Sequence, residues 1–396
     1  MGDTSLFPVI ESAQDVIPLD LRLGLTRPLD GNQILRWGIC GAGRVCNDWV
    51  QSLKVVPGAR ITSVAARDPN RASKFAKLHG IPHVSNDYAE LMHRSDVDII
   101  YIGTVQSEHL AHALLALESG KHVLVEKPAG CNRDELKTMI ETAKQHNRFF
   151  LEGVWTRFFP IVEYIRQILE SNAIGSIVAM QSDFGFNSFE QEEYPSSPMY
   201  DKSLGGGALL YVGVYPISMI PFAFGNEKPC QVLATGYFDQ KLQVDMNGAI
   251  SAMYKDGRIA TVMYGLTGET AEETTVVGSK GRIVIHTPAH CPLRMTVFRK
   301  KDGRGNVEPQ TYEFPLPAIP QSVNETGGFV YPNSFGFQFE AAAVQRCIFA
   351  GLTECPQYTT DDSLLVAEIM ESVRDQVTAR QEEEHCNPHY LSEVPL

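Results

Sequence analysis

Closely spaced cysteine pairs are missing from this chain. Eight cysteines are scattered along it, none in a C-x-x-C spacing and none in a zinc pattern, so no metal site is expected. Unpaired thiols spread through a large chain point to a reducing, cytoplasmic setting. Basic residues are also scarce: 34 Lys and Arg stand against 47 Asp and Glu, a net charge of −13. That deficit argues against nucleic-acid or anionic-membrane partners, which need broad basic surfaces, but leaves room for a local phosphate pocket. No apolar run approaches the roughly 18 residues of a membrane span. Residues 1–33 lack the apolar stretch of a signal peptide, and Asp3, Glu11, Asp15, Asp20 and Asp30 make them too acidic for a transit peptide.

What is present reads as an ordinary globular chain, with 43% hydrophobic residues over a length of 396. At about 150 residues per domain that is two to three domains. Residues 1–33, broken by Pro8, Pro18 and Pro28, read as an extended or weakly helical arm. From 34 to 157, strand patterns (34–40, 59–65, 99–102, 121–125, 149–153) alternate with helical ones (45–53, 69–79, 110–119, 133–146), the signature of a parallel sheet built from βαβ units. Beyond 157 the rhythm changes. Strand-like stretches follow one another at 177–184, 231–238, 246–254, 258–264, 273–277, 281–286, 293–299 and 311–315, with helices at 161–171, 208–222, 335–350 and 361–376. Turns such as Lys255-Asp256-Gly257 favour antiparallel pairing. The expected fold class is therefore α/β: a doubly wound, Rossmann-type parallel sheet at 34–157, then an α+β domain at 158–396 with a large, open, mainly antiparallel sheet. The tail from Arg380 reads as solvated.

The first strand runs into G-A-G-R-V-C, Gly41 to Cys46, and then a helix. In this turn Gly41 allows the sharp bend, Gly43 lets the backbone approach a pyrophosphate, and the small Cys46 lets helix and strand pack. Free N–H groups at the helix start, opened by Arg44 and Val45, would receive the phosphates. The alternative is a tight βα turn whose glycines serve sterics alone. At the end of the second strand, Asp68-Pro69 has the form of a helix cap followed by a first-turn proline. That removes the acid an NAD enzyme uses on the ribose and leaves Arg67 and Arg71 for a 2′-phosphate, so NADP is the expected cofactor. A solvated pair of arginines is the competing reading. Lys121 to Pro128 reads K-H-V-L-V-E-K-P, which sets Glu126 and Lys127 at the carboxyl edge of the sheet, where open α/β folds bind ligands.

These motifs, with R-W-G-I at Arg36, A-A-R-D-P-N-R-A at Ala65, Y-I-G-T at Tyr101, V-W-T-R-F-F-P at Val154, G-G-A-L-L at Gly206, G-V-Y-P at Gly213 and E-F-P-L-P at Glu313, span roughly residues 35–376. Together they resemble the glucose–fructose oxidoreductase / inositol dehydrogenase family, and within it the dimeric dihydrodiol dehydrogenases, also described as D-xylose 1-dehydrogenases. The resemblance implies hydride transfer between NADP and a carbinol of a trans-dihydrodiol or an aldose, by a homodimer. It implies Lys127 and Tyr215 as the catalytic pair, the ammonium lowering the phenol's pKa. It also places Thr104, His109, Glu126, Trp155 and Arg157 at the cofactor, and Phe184 and Tyr211 at the substrate. His109 with His112 as plain helix residues, and Trp155 with Phe158 and Phe159 as domain-junction core, are the alternatives. In one place the pattern breaks. The family has an Asp four residues before the tyrosine, and here that position is Tyr211. At i and i+4, Tyr211 and Tyr215 are expected to share a helix face toward the cleft. The missing acid raises a second reading, an NADP(H)-binding protein with weak or lost catalysis.

Overall fold

A computed structural model describes residues 15–190, 195–300 and 307–386. Its first sheet holds six parallel strands in the order β3-β2-β1-β4-β5-β6. These are β1 (Leu35–Cys40), β2 (Ala59–Ala65), β3 (His83–Val84), β4 (Ile99–Ile102), β5 (His122–Glu126) and β6 (Phe150–Gly153). All four residues of β4 and all four of β6 are buried, as fits strands covered on both faces. The helices are α1 (Leu19–Arg22), α2 (Arg44–Leu53), α3 (Pro69–His79), α4 (Tyr88–His93), α5 (His109–Glu118) and α6 (Arg133–Gln145). Local punctuation sets α3. The Asp68 carboxylate accepts the N–H of Asn70, Pro69 opens the first turn, and Gly80 closes the helix at φ 70°.

After α7 (Pro160–Glu170) comes the second sheet, β7 (Ile177–Gly185) to β14 (Val307–Glu313), in the order β14-β13-β12-β11-β7-β10-β9-β8. Its other strands are β8 (Gln231–Asp239), β9 (Val244–Met253), β10 (Ile259–Gly265), β11 (Thr274–Gly278), β12 (Gly281–Ile285) and β13 (Arg294–Lys300). Every pairing is antiparallel except β7 with β10. The expected helix at 208–222 divides into a π-turn, Leu209–Gly213, and α8, Val214–Phe224. Helical stretch 202–224 is long and apolar enough to cross a membrane, which corrects the expectation that no such run exists; 78% of its apolar 18-residue window is buried, as in a core helix. Strand β14 begins four residues earlier than the pattern indicated. The last helices are α9 (Gln321–Glu325), α10 (Phe337–Phe349) and α11, which runs from Thr360 to Cys386 rather than stopping at 376.

Chain order and packing partly part company here. Asp48 of α2 accepts the N–H groups of Val330 and Tyr331 and the hydroxyl of Ser334, so the segment before α10 folds back onto the first sheet's helices. Helix α11 packs against α8, β8 and α6. The described part of the arm is no loose extension either. Asp20 of α1 is wholly buried and accepts a two-pronged bond from Arg346, Nε at 2.5 Å and Nη2 at 2.8 Å. Gln357 and Thr26 donate to the same carboxylate at 2.6 Å. A buried ion pair broken on one side leaves an uncompensated charge. Asp20→Ala is therefore expected to lower unfolding stability by about 3–5 kcal/mol, read from urea denaturation of the whole chain. A change under about 1 kcal/mol would mean the arm does not hold the fold.

Candidate active site

The site forms where strand order reverses, beside the carboxyl ends of β1, β4 and β5. Gly41 takes φ +117°, and a Cβ there would lie 2.8 Å from the carbonyl of Gly103 in the loop after β4. Gly43 precedes α2, and no side chain caps the helix. A Cβ on Gly43 would meet nothing nearer than 4.0 Å. An uncapped helix start behind a glycine cradle fits a pyrophosphate. Arg44, Arg67 and Arg71 are exposed around this cradle and Val45 is half-buried. Arg71 Nε donates to the Ala42 carbonyl at 2.9 Å, which lays its guanidinium over the glycine loop. Asp68 is occupied as the cap of α3.

Under the cradle, the loops after β4 and β5 are tied together. His109 sets Nε2 3.1 Å from the Thr104 carbonyl and Nδ1 3.0 Å from that of Pro128. Burial pushes this imidazole down to about 4. The Thr104 hydroxyl meets His112 Nδ1 at 3.2 Å. Glu126, at the end of β5, is buried and accepts the Tyr101 hydroxyl at 2.7 Å.

Lys127 follows directly. Its Nζ donates to the Tyr211 carbonyl at 2.7 Å and lies 4.6 Å from the centroid of the Tyr215 ring. Pro216, five residues on, has no N–H to give to this carbonyl. Burial lowers the Lys127 pKa to about 8, against the pull of Glu126 and Glu152. Tyr215 shifts the other way from the expectation. Burial first, then the charges of Glu126, Cys291 and Glu340, pushes its phenol well above the usual 10, while the ammonium lies over the ring. The pair thus combines an amine that titrates near neutrality with a phenol that keeps its proton.

Three aromatic groups line the space beside Tyr215. Phe184 of β7 is 5.7 Å away between centroids, His290 is 5.3 Å away, and the Trp155 indole N–H faces the phenol oxygen. Trp155 is held by a stack on Phe337 at 4.2 Å. Tyr211 is largely enclosed near Gln106 of the loop after β4, Tyr331 and Cys131, and burial raises its phenol to about 12. Arg157 is not at the cleft. It is 2% exposed, donates to the Ser218 carbonyl at 3.1 Å, and lies between the rings of Phe222 and Tyr358 at 5.1 Å each, where it joins α8 to α11.

The sequence reading missed His290, which sits in a loop between two strands with no motif around it. It also missed two buried acids, Glu152 and Glu340. Each stands in an apolar run, F-F-L-E-G and F-Q-F-E-A-A, and that was the available signal. Glu340 is wholly buried, neither of its oxygens has a hydrogen-bond partner among the described residues, and burial holds its pKa far up.

The sequence profile described as an oxidoreductase family with an NAD-binding Rossmann fold (GFO/IDH/MocA) matches residues 35–154, and the family's C-terminal domain profile matches residues 162–284. The chain belongs to this family. A trans-1,2-dihydrobenzene-1,2-diol dehydrogenase of Danio rerio is 35% identical over 347 residues, 87% of this chain and 97% of the relative. The Sus scrofa protein of the same name is 33% identical, covering 89% and 99%. Among solved structures, KijD10, a 3-ketoreductase from Actinomadura kijaniata in complex with NADP and TDP-benzene, superposes with a TM-score of 0.71 at 22% identity, covering 87% of this chain and 98% of that one. A levoglucosan dehydrogenase in complex with NADH and levoglucosan gives 0.75 at 21%, covering 88% and 98%. At such identities the structures speak for the fold. Membership makes this chain an oxidoreductase with a nicotinamide-dinucleotide fold.

Proposed function

We propose that this family member is an NADP-dependent dehydrogenase oxidising a carbinol of a trans-dihydrodiol or of an aldose such as D-xylose. The observation that carries the reading is the Lys127–Tyr215 pair at the mouth of an uncapped glycine cradle. The names of the relatives support the diol. When bound, the nicotinamide supplies a two-electron acceptor for hydride. The chain handles the proton. As an amine, Lys127 accepts it from the carbinol oxygen, and the protonated Tyr215 donates a hydrogen bond that holds that oxygen. This reverses the roles the sequence suggested. With a pKa of about 8, the amine fraction rises with pH through that point. Diol oxidation is expected to climb about ten-fold per pH unit below 8 and level off above it, and the reverse reduction to fall over the same range. Lys127→Met should abolish turnover and leave NADPH binding intact. A variant with wild-type kcat removes Lys127 from the reaction. A wild type that binds NADPH and oxidises no diol or aldose would point instead to the non-catalytic reading, for which Tyr211 in place of an acid is the observation.

Cofactor choice rests on Arg67 and Arg71, with Asp68 committed to its cap. Charge-assisted bonds to a 2′-phosphate contribute about 1.5–3 kcal/mol each. Changing both arginines to serine should weaken NADPH at least ten-fold more than NADH, by fluorescence titration. Equal weakening counts against NADP.

For assembly, the outward face of the second sheet offers Leu233, Tyr237, Met253, Ile259 and Met263, at 37–53% exposure. Registered rows such as Met253–Ile259 and Ala249–Met263 make the patch continuous. Two copies packed on this face would form a two-fold dimer. Light scattering at micromolar concentration should give twice the chain mass, and Leu233→Asp with Met263→Asp should give one chain mass.

A further inference from the structure

His290 has no part in the chemistry above, yet it is built into the wall beside Tyr215. Its ring lies flat on Phe184, 4.2 Å between centroids and 6° between planes. Its backbone is fixed as well. The Thr156 hydroxyl donates to the His290 carbonyl, and Asn333 Nδ2 donates to the carbonyl of Cys291 at 2.8 Å. Glu272 is bound into the same corner. Its carbonyl accepts the Ala289 N–H at 3.0 Å, and its N–H donates to Asp183 at 2.7 Å. Those bonds keep Glu272 at φ 50°, a left-handed conformation that costs a non-glycine residue energy.

The two side chains end face to face without joining. Glu272 Oε2 is 3.8 Å from His290 Nδ1, too long for a hydrogen bond, and Nδ1 has no other partner among the described residues. Both are largely enclosed, at 11% and 17% side-chain exposure. A donor and an acceptor fixed this way, just out of each other's reach, suit a group that both gives and takes a hydrogen bond, and a hydroxyl does. We propose that His290 and Glu272 bind the second hydroxyl of a vicinal diol whose first hydroxyl reacts at Lys127 and Tyr215. This rests on the dehydrogenase reading and specifies its substrate: the acid that position 211 lacks comes from the loop before β11. The charge states fit. Burial and Lys127 hold His290 at about 3, so the imidazole is neutral. Burial, Glu269 and Asp183 raise Glu272 to about 7. Tyr215 and Cys291 complete the titratable surroundings of the ring.

The test compares the wild type with Glu272→Gln and His290→Phe, the second keeping an aromatic ring on Phe184, at saturating NADP. The probes are trans-1,2-cyclohexanediol and cyclohexanol, the latter as substrate or as competitive inhibitor. In each variant kcat/KM for the diol should fall about ten-fold or more, mainly through KM. The constant for cyclohexanol should stay within about two-fold, with NADPH binding unchanged as the check on folding. Equal losses on both compounds would make the pair a packing feature and overturn the proposal. Wild-type diol turnover with unaltered variants overturns it too and leaves the dehydrogenase reading standing. A wild type that neither oxidises a diol or aldose nor binds one by calorimetry with NADPH present removes both.

Discussion

The bond from the Lys127 ammonium to the Tyr211 carbonyl joins the two halves of the molecule at the point where chemistry is expected. One end belongs to the loop after β5, the other to the π-turn that leads into α8. Everything else at the site is arranged around that junction. His109 ties the loops after β4 and β5 into one platform, and Glu126 and Glu152 sit behind the lysine. From the other side, Asp245 of β9 accepts the N–H of Leu209 at 2.8 Å and anchors the start of the π-turn. A Cβ on Gly207 would lie 2.3 Å from that carboxylate, so the glycine lets the anchor approach. The lysine is thereby fixed in an apolar place where its proton is loosely held.

Where residues act locally, the sequence was legible. Asp68 and Pro69 mark the start of α3, and the apolar run Ile99–Ile102 marks β4, because caps and strand burial depend on near neighbours. The alternation of strands and helices sufficed for the first sheet, and the succession of strands for the second. Long-range packing was less visible. The Tyr211 carbonyl meets Lys127, 84 positions away, a contact that no local window of sequence contains. Arg157 and Trp155 sit two residues apart in one motif, yet only Trp155 reaches the cleft; the other is drawn to Ser218, and to Asp362 at 3.8 Å on α11. The sign of the Tyr215 shift could not be read either, since it turns on how deeply the phenol is buried and on the charge of Glu126 near it.

The site also shows how a family scaffold tolerates a break in its motif. Tyr211 loses the acid but keeps its backbone, and Lys127 binds the carbonyl rather than any side chain there. The Tyr211 hydroxyl lies near Gln106, Tyr331 and Cys131, and the wall beside Tyr215 is built from Phe184, Trp155 and His290.

The buried carboxylate of Asp20 has a bearing on how the chain is made. Its partner Arg346 lies 326 positions later. During synthesis α1 leaves the ribosome long before Arg346 and Gln357, which bind its acid in the folded chain. The bond between Asp20 and Arg346 can close only once α10 has been made, so it carries the loop-closure cost of most of the chain. A product lacking α10 would keep the partners of Leu19 and Arg22 on α7, Glu163 and Glu170, and leave the Asp20 carboxylate without its guanidinium. Proteolysis near residue 20 thus reports whether α10 has been placed against α1.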